Sequence, residues 1–302
     1  MNSQTPLISV VVPSYNCVEF LPQAIESVLS QSYKNWEVII IDNHSTDGTD
    51  NLIKSYEDSR IKFYSIKNHG VIAASRNLGI KVAEGQWIAF LDGDDYWRSN
   101  KLQRCFEKSQ EGYDVIYHPM TIVRDRFLPF SRKNTKSWQV RHPVLKDLIL
   151  RGNPIANSSA FVKKELLIEV GYISEDKDLI AAEDFNTWLE ISRVSEKFVI
   201  IDTCLGSYRV HHSNTSNSID RTVPHEKVVA RFIDEISSDD QEKAKALVSY
   251  FRGQYLLIKR EYGAACAQFH LASRHLDVDF KLKNRVLYYQ SKIKAFLCEK
   301  EI

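Results

Sequence analysis

Three carboxylates fall within four residues at Asp92-Gly93-Asp94-Asp95. Such a cluster repels itself unless a cation or a set of donors offsets it. Asp92 and Asp94 stand two apart at the end of an apolar run, so in extended geometry they point to one side and could together grip a hard divalent ion and a ribose hydroxyl. Oxygen ligands suit Mg2+ or Mn2+ best. The alternative is a solvated turn whose Asp caps the next helix. Asp42 closes a second apolar run and enters the loop Asn43-His44-Ser45-Thr46-Asp47-Gly48-Thr49. It either accepts a hydrogen bond from a base imide or ribose, or belongs to a structural loop in which Thr46 or Asp47 caps a helix. Arg76, in the largely apolar stretch 70–79, reads on its own as a surface charge. Glu183-Asp184 precedes the amphipathic start Phe185-Asn186-Thr187-Trp188-Leu189, where acids offset a helix dipole. His211 follows a strand-like Tyr208-Val210 alternation and reads as a hydrogen-bonded structural histidine, while Trp97 either packs or lines a pocket. The polar segment 132–138, bearing Trp138, reads as a loop, with a lid as the alternative.

Positioning these residues requires a parallel sheet. Short Val- and Ile-rich runs at 8–13, 36–42, 61–66 and 87–92 alternate with helix-length stretches near 20–32, 49–56 and 71–83, the pattern of strands covered on both faces. The class is α/β. Pro13-Ser14-Tyr15-Asn16, Asp42-Asn43-His44-Ser45 and Asp92 to Asp95 all lie at carboxyl ends of these strands, where open α/β sheets bind ligands. From about 96 to 220 the pattern is an irregular extension of the sheet, with a helix near 100–111 and strands near 115–118 and 159–162. After about 222 helical patterns at 241–262, 264–275 and 281–297 run on, and the hairpin around Gly263 loosely resembles a tetratricopeptide unit. The expected division is therefore 1–220, itself split at 95/96, and a helical region 221–302.

Composition removes several function classes. A chain of 302 residues with 40 Lys and Arg against 39 Asp and Glu has a net charge of +1, so no general field holds nucleic acid. Five cysteines lie far apart, without a CxxC pair, which argues against a disulfide framework or structural zinc. No apolar run approaches the roughly 20 residues of a spanning helix, and the first residues lack the basic and apolar parts of a secretory signal. The expected location is cytoplasmic.

The series Val10-Val11-Val12-Pro13-Ser14-Tyr15-Asn16, Val38-Ile39-Ile40-Ile41-Asp42, Ser75-Arg76-Asn77-Leu78-Gly79, Leu91-Asp92-Gly93-Asp94-Asp95 and Glu183-Asp184 resembles the family 2 glycosyltransferases of the GT-A fold, in order and spacing, over about residues 7–216. The resemblance implies a Rossmann-like fold and an inverting transferase that takes sugar from a nucleotide diphosphate donor, commonly a UDP-sugar, with Mn2+ or Mg2+. It implies that Pro13, Tyr15 and Asn16 shape the nucleotide pocket, Asp42 meets the base, Arg76 flanks it, Asp92 holds ribose and Asp94 the metal. Asp184 becomes the general base, with Glu183 orienting the site, and His211, in a segment similar to the family's Tyr-Arg-x-His, closes over the diphosphate or ligates the metal. Trp97 becomes a candidate for the sugar pocket. Asn43 departs from the second Asp of many relatives, which weakens the case for uracil.

The implied acceptor is a glycan, lipid-linked, in building an O-antigen, capsule or exopolysaccharide. The contrasting expectation is a catalytically silent nucleotide-sugar-binding or scaffold protein. Nucleotidyl transfer and NAD-dependent dehydrogenation both want a glycine-rich loop after the first strand, and Pro13-Ser14-Tyr15-Asn16-Cys17 has none. Residues 241–302 carry twelve basic against six acidic residues. Their last helix either packs Leu282, Val286, Leu287, Tyr289, Ile293, Phe296 and Leu297 on the catalytic domain and turns Lys281, Lys283, Arg285, Lys292 and Lys294 outward, or brings those cations to the anionic inner face of the membrane or to a lipid-linked pyrophosphate.

Overall fold

A computed structural model of the chain describes residues 5–124, 133–211 and 220–299. Strands β1 (Ile8–Ser14), β2 (Trp36–Asp42), β3 (Ile61–Ser65) and β4 (Trp87–Phe90) alternate with helices α1 (Leu21–Leu29), α2 (Thr49–Lys54) and α3 (Ile72–Val82). Every residue of β1 and β2 is buried, so neither strand needs a polar face and both read as nearly continuous apolar runs, interrupted by Ser9 and Glu37, where the Ser9 hydroxyl donates to the Glu37 carboxylate. β1 lies parallel to β2, with Val10 opposite Val38, and parallel to β4, with Ile8 opposite Trp87.

Beyond β4 come β5 (Tyr96–Trp97), α4 (Lys101–Gln110), β6 (Val115–Tyr117), β7 (Thr121–Arg124), α5 (Val144–Arg151), β8 (Phe161–Lys163), α6 (Lys164–Glu169), α7 (Glu183–Val194), β9 (Phe198–Ile200) and β10 (Gly206–Val210). The main sheet has the order β3-β2-β1-β4-β8-β6-β9. β8 runs antiparallel to β4 and to β6, so the parallel pattern of the first half ends there. A second sheet, β5-β10-β7, joins Trp97 to Gly206 and Ser207 to Thr121. The segment 132–138 lies partly outside the described residues. Of the rest, Lys133 and Thr135 pair through their backbones with Ile122 and Met120, which ties that stretch to the second sheet.

The chain divides into two compact units, Met1–Val144 with Asn153–Asn217, and Leu145–Gly152 with Ser218–Ile302. The second unit thus takes in most of α5, a segment the division at 220/221 leaves with the sheet. Lys146 pairs with Asp240 at 2.6 Å, and Phe251 packs where a Cβ on Gly152 would sit. Its other elements are α8 (Thr222–Phe232), α9 (Ser238–Ile258), α10 (Tyr262–Ala272) and α11 (Val278–Glu299) around a core that includes Leu247, Tyr250, Phe269 and Phe280. Among the described residues no helix is long and apolar enough to cross a membrane.

Gly79 lets α3 lie directly on β1, since a Cβ there would stand 2.4 Å from a Val11 methyl. Overpacking of this kind costs about 1–3 kcal/mol. Gly79→Ala is expected to lower stability by that amount in chemical denaturation, and adding Val11→Ala, which removes the obstructing methyl, is expected to make the glycine substitution itself cost less.

Candidate active site

β4 ends at Phe90, and the chain turns at Asp92-Gly93-Asp94-Asp95, where the Asp95 N–H donates to the Asp92 carbonyl at 3.0 Å. The extended arrangement expected for Asp92 and Asp94 is replaced by this turn, which sets their directions. Gly93 allows the turn to press on the end of β1: a Cβ there would lie 3.0 Å from Cys17 Sγ and 3.3 Å from the Pro13 carbonyl oxygen. The Asp92 N–H donates to Ser158 Oγ at 3.0 Å, tying the turn to the segment before β8.

Arg76 is buried rather than a surface charge, with 4% of its side chain exposed. Its Nη2 donates to Asp92 Oδ1 at 2.8 Å and its Nη1 to Glu183 Oε1 at 2.6 Å. Burial works against the charged guanidinium, but Asp92 and Glu183 outweigh it and hold Arg76 above its usual proton affinity. One cation on α3 therefore gathers the acidic turn after β4 and the start of α7. Asn157 Nδ2 also donates to Asp92 Oδ1, at 3.3 Å.

Asp94 Oδ2 lies 2.9 Å from His211 Nε2, and the His211 ring packs on Phe20 with centroids 4.6 Å apart. Burial raises the Asp94 proton affinity and the Asp92 charge adds to it, while His211 pulls it back down. Asp95 is fully enclosed. Its Oδ1 accepts from the Arg209 N–H at 3.0 Å, its Oδ2 has no hydrogen-bond partner, and burial with the Asp94 and Asp92 charges pushes its carboxyl well up. Arg209 Nε donates to the Asp94 carbonyl at 3.1 Å, so β10 is stitched along the turn and presents His211 to Asp94. A carboxylate and an imidazole fit a divalent ion that keeps water and substrate oxygens in its remaining positions. Among the described residues there is no group of three or more His, Cys, Asp or Glu that could hold a metal ion.

Asp184, half-buried in the first turn of α7, accepts from the Phe185 N–H at 2.7 Å and from Asn153 Nδ2 at 3.2 Å. Burial, with Glu183 beside it, lifts its pKa to about 7 against the pull of Arg76. An aspartate of that basicity is suited to proton abstraction near neutrality.

The loops after β1 and β2 are laced together. Asn16 N–H donates to Ser45 Oγ at 2.8 Å, the Thr46 N–H to Asn16 Oδ1 at 2.9 Å and the Val18 N–H to Asp47 Oδ2 at 2.9 Å. Asp42 is buried, accepting from Ser45 N–H at 2.8 Å, Ser45 Oγ at 2.5 Å and Ser14 Oγ at 3.2 Å. Its oxygens serve the loop, and Tyr15, 62% exposed, is what the loop offers outward. Asn43 accepts from the Asn68 N–H at 2.9 Å and so anchors the entry to α3. Trp97 is in the core, its Nε1 donating to the Ser158 carbonyl at 2.7 Å. The structure thus clusters Arg76, Asp92, Asp94, Asp184 and His211, and leaves Pro13, Tyr15, Asn16 and Asp42 in the neighbouring loop pair. Sequence reasoning missed Asn153, Asn157, Ser158 and Arg209, of which only Arg209 lies inside a motif singled out on the sequence.

The family model "Glycosyl transferase family 2" matches residues 9–171. The chain belongs to this family. It is 29% identical over 228 residues to a putative teichuronic acid biosynthesis glycosyltransferase, TuaG of Bacillus subtilis (strain 168), covering 72% of this chain and 84% of the relative. It is 46% identical over 98 residues to WfaP of Escherichia coli, a UDP-Glc:alpha-D-GlcNAc-diphosphoundecaprenol beta-1,3-glucosyltransferase, covering 32% of this chain and 38% of WfaP. S. aureus TarS 1-349, solved with UDP-GlcNAc, superposes with a TM-score of 0.67 at 18% identity over 94% of this chain and 88% of that one. The mannosyltransferase PcManGT from Pyrobaculum calidifontis, solved with GDP-Man and Mn2+, gives 0.62 at 17% identity, covering 98% and 86%. The fold of this family 2 member is GT-A with helices following the sheet unit.

Removing the shared cation would leave Glu183 and Asp92 uncompensated, and breaking such a buried pair costs about 3–5 kcal/mol. Arg76→Met is expected to lose that much stability in denaturant titrations, and Arg76→Met with Glu183→Gln is expected to lose less than Arg76→Met alone.

Proposed function

We propose that this glycosyltransferase is an inverting enzyme that moves a sugar from a UDP-sugar to a hydroxyl of a lipid-linked glycan during surface polysaccharide biosynthesis, working at the cytoplasmic face of the membrane. The observation that carries the reading is the Arg76 bridge, which joins a donor-side acid, Asp92, to Glu183, the neighbour of Asp184, through one guanidinium. UDP appears in the names of both WfaP and the TarS complex, and a diphosphoundecaprenol acceptor in that of WfaP.

In this mechanism Pro13, Tyr15 and Asn16 shape the nucleotide pocket, Asp42, held in place by Ser14 and Ser45, meets the base with Arg76 flanking it, and Asp92 receives the ribose. Asp94 and His211 would hold Mn2+ or Mg2+, whose charge would offset that of the departing diphosphate. Asp184 takes the proton of the acceptor hydroxyl as its oxygen bonds to the anomeric carbon, and the bond to the diphosphate breaks on the opposite face. Glu183, fixed by Arg76 and by the Ala181 N–H at 2.8 Å, orients the pair.

Asp184→Asn is expected to keep UDP and metal affinity by calorimetry while transfer falls about 10²- to 10⁴-fold, the usual contribution of a general base. Equal loss of donor binding, or an unchanged rate, would overturn the assignment. Because the active form is the carboxylate and its pKa is raised to about 7, kcat/KM is expected to climb with pH up to about 7 and then level. Below that it should drop about tenfold per unit, a limb absent from donor binding.

A further inference from the structure

The last helix is inverted relative to the packing expected of it. α11 packs through Phe280, Asn284 and Ser291, which are buried, and through Leu287. Apart from Leu287, the residues that its sequence offers as a packing stripe face solvent: Leu282 is 78% exposed and Ile293 60%, with Val286, Tyr289 and Leu297 also exposed, and Val278 joins them. On a helix of 3.6 residues per turn these six fall within an arc of about 100°, on the side away from the packed one. Lys281, Arg285 and Lys292 border one edge of the arc and Lys283 and Lys294 the other. Against these five cations α11 carries two acids, Asp279 and Glu299.

From this arrangement we infer that the outer face of α11 is a membrane-docking surface, lying in the plane of an anionic bilayer with Leu282, Val286 and Ile293 in the acyl boundary and the flanking cations among the headgroups. An exposed apolar strip with basic margins on both sides is what such a surface requires: the strip leaves water for hydrocarbon, and long Lys and Arg side chains reach sideways to phosphate. A second copy of the chain fits poorly, because pairing two such strips sets basic rows against basic rows. At 22 residues and with seven ionisable groups among its Asp, Glu, Lys and Arg, the helix lies on the membrane rather than across it. The inference deepens the proposal of a lipid-linked acceptor, since a chain held at the surface meets acceptors confined there. It is read by binding alone.

Flotation of the full chain with phosphatidylglycerol or phosphatidylcholine vesicles decides it. The parent chain is expected to float with the anionic vesicles at low salt and to be released as salt rises. Leu282→Ser with Val286→Ser and Ile293→Ser should abolish flotation. Lys281→Gln with Lys283→Gln and Lys292→Gln should weaken it about a hundredfold, at about fivefold per cation near an anionic surface. All six positions are exposed, so both variants should keep the parent's melting temperature and its transfer to a soluble acceptor. No flotation at low salt, or variants that float like the parent, overturns the inference while leaving the transferase reading intact. A concentration-dependent dimer in sedimentation that the serine changes abolish gives the face to a second copy, and overturns it too. Loss of transfer to the soluble acceptor in the parent chain strikes instead at the proposed reaction.

Discussion

The guanidinium of Arg76 is the point on which the site depends. It cannot shed its proton, so once buried it must be matched by fixed anions, and it takes them from two places far apart in the chain. Asp92 arrives on the turn after β4 and Glu183 on the first turn of α7, at 2.8 and 2.6 Å. Each element would leave a charge stranded if either of the others moved. The close seating of α3 on β1 through Gly79 is part of the same constraint, because it fixes the helix that carries Arg76. Asn77, the next residue, donates to the Ile173 carbonyl and to Glu175, both at 2.8 Å, and so holds the approach to α7 as well.

A second buried cation supports the turn from below. Lys101 is fully buried without a hydrogen-bond partner, its ammonium 3.8 Å from the centre of the Trp97 ring, and burial pulls its pKa down to about 8. Trp97 in turn holds the Ser158 carbonyl, and Ser158 Oγ accepts the Asp92 N–H. The aromatic residue following the acidic run thus works by packing: it links the core to the backbone of Asp92. Cation–π attraction is stronger where water is excluded, which suits an ammonium that has no carboxylate to pair with.

The sheet half of the molecule was legible because its strands are buried on both faces. β2 occupies 36–42 as its apolar run does, and β1 extends the run at 8–13 by one residue. The carboxyl ends of the strands, where Asp42 closes β2 and the turn bearing Asp92 lies beyond β4, follow from the same pattern. Legibility fails where a residue's surroundings come from remote sequence. Arg76 looks like a surface charge because its partner Glu183 is 107 positions away, and no local periodicity encodes that meeting. β5 has two residues and β7 four, too few for an alternation to register. In α11 the sequence displays an apolar stripe, yet the buried side includes Asn284 and Ser291, which donate to the carbonyls of Phe269 at 3.0 Å and Leu287 at 2.8 Å. Amphipathicity marks two faces without saying which one the rest of the chain will cover.

The acidic turn shows how one residue type is given different work by its surroundings. Three neighbouring carboxylates cannot all stay charged and uncompensated, and the structure relieves each in its own way. Asp92 receives the Arg76 guanidinium and the Asn157 amide. Asp95, enclosed and with one oxygen unpartnered, is driven toward its neutral form and serves as an anchor for β10 through the Arg209 N–H. Asp94 is left between these outcomes, its proton affinity raised by burial and by Asp92 and lowered by the imidazole at 2.9 Å. Its partner is a side chain that can itself ligate a metal. The same balance of burial against neighbouring charge lifts Asp184 across the bridge to about 7. Proton affinity in this site is set first by burial and then by the charges within reach, so neighbouring aspartates of one sequence motif end in different states.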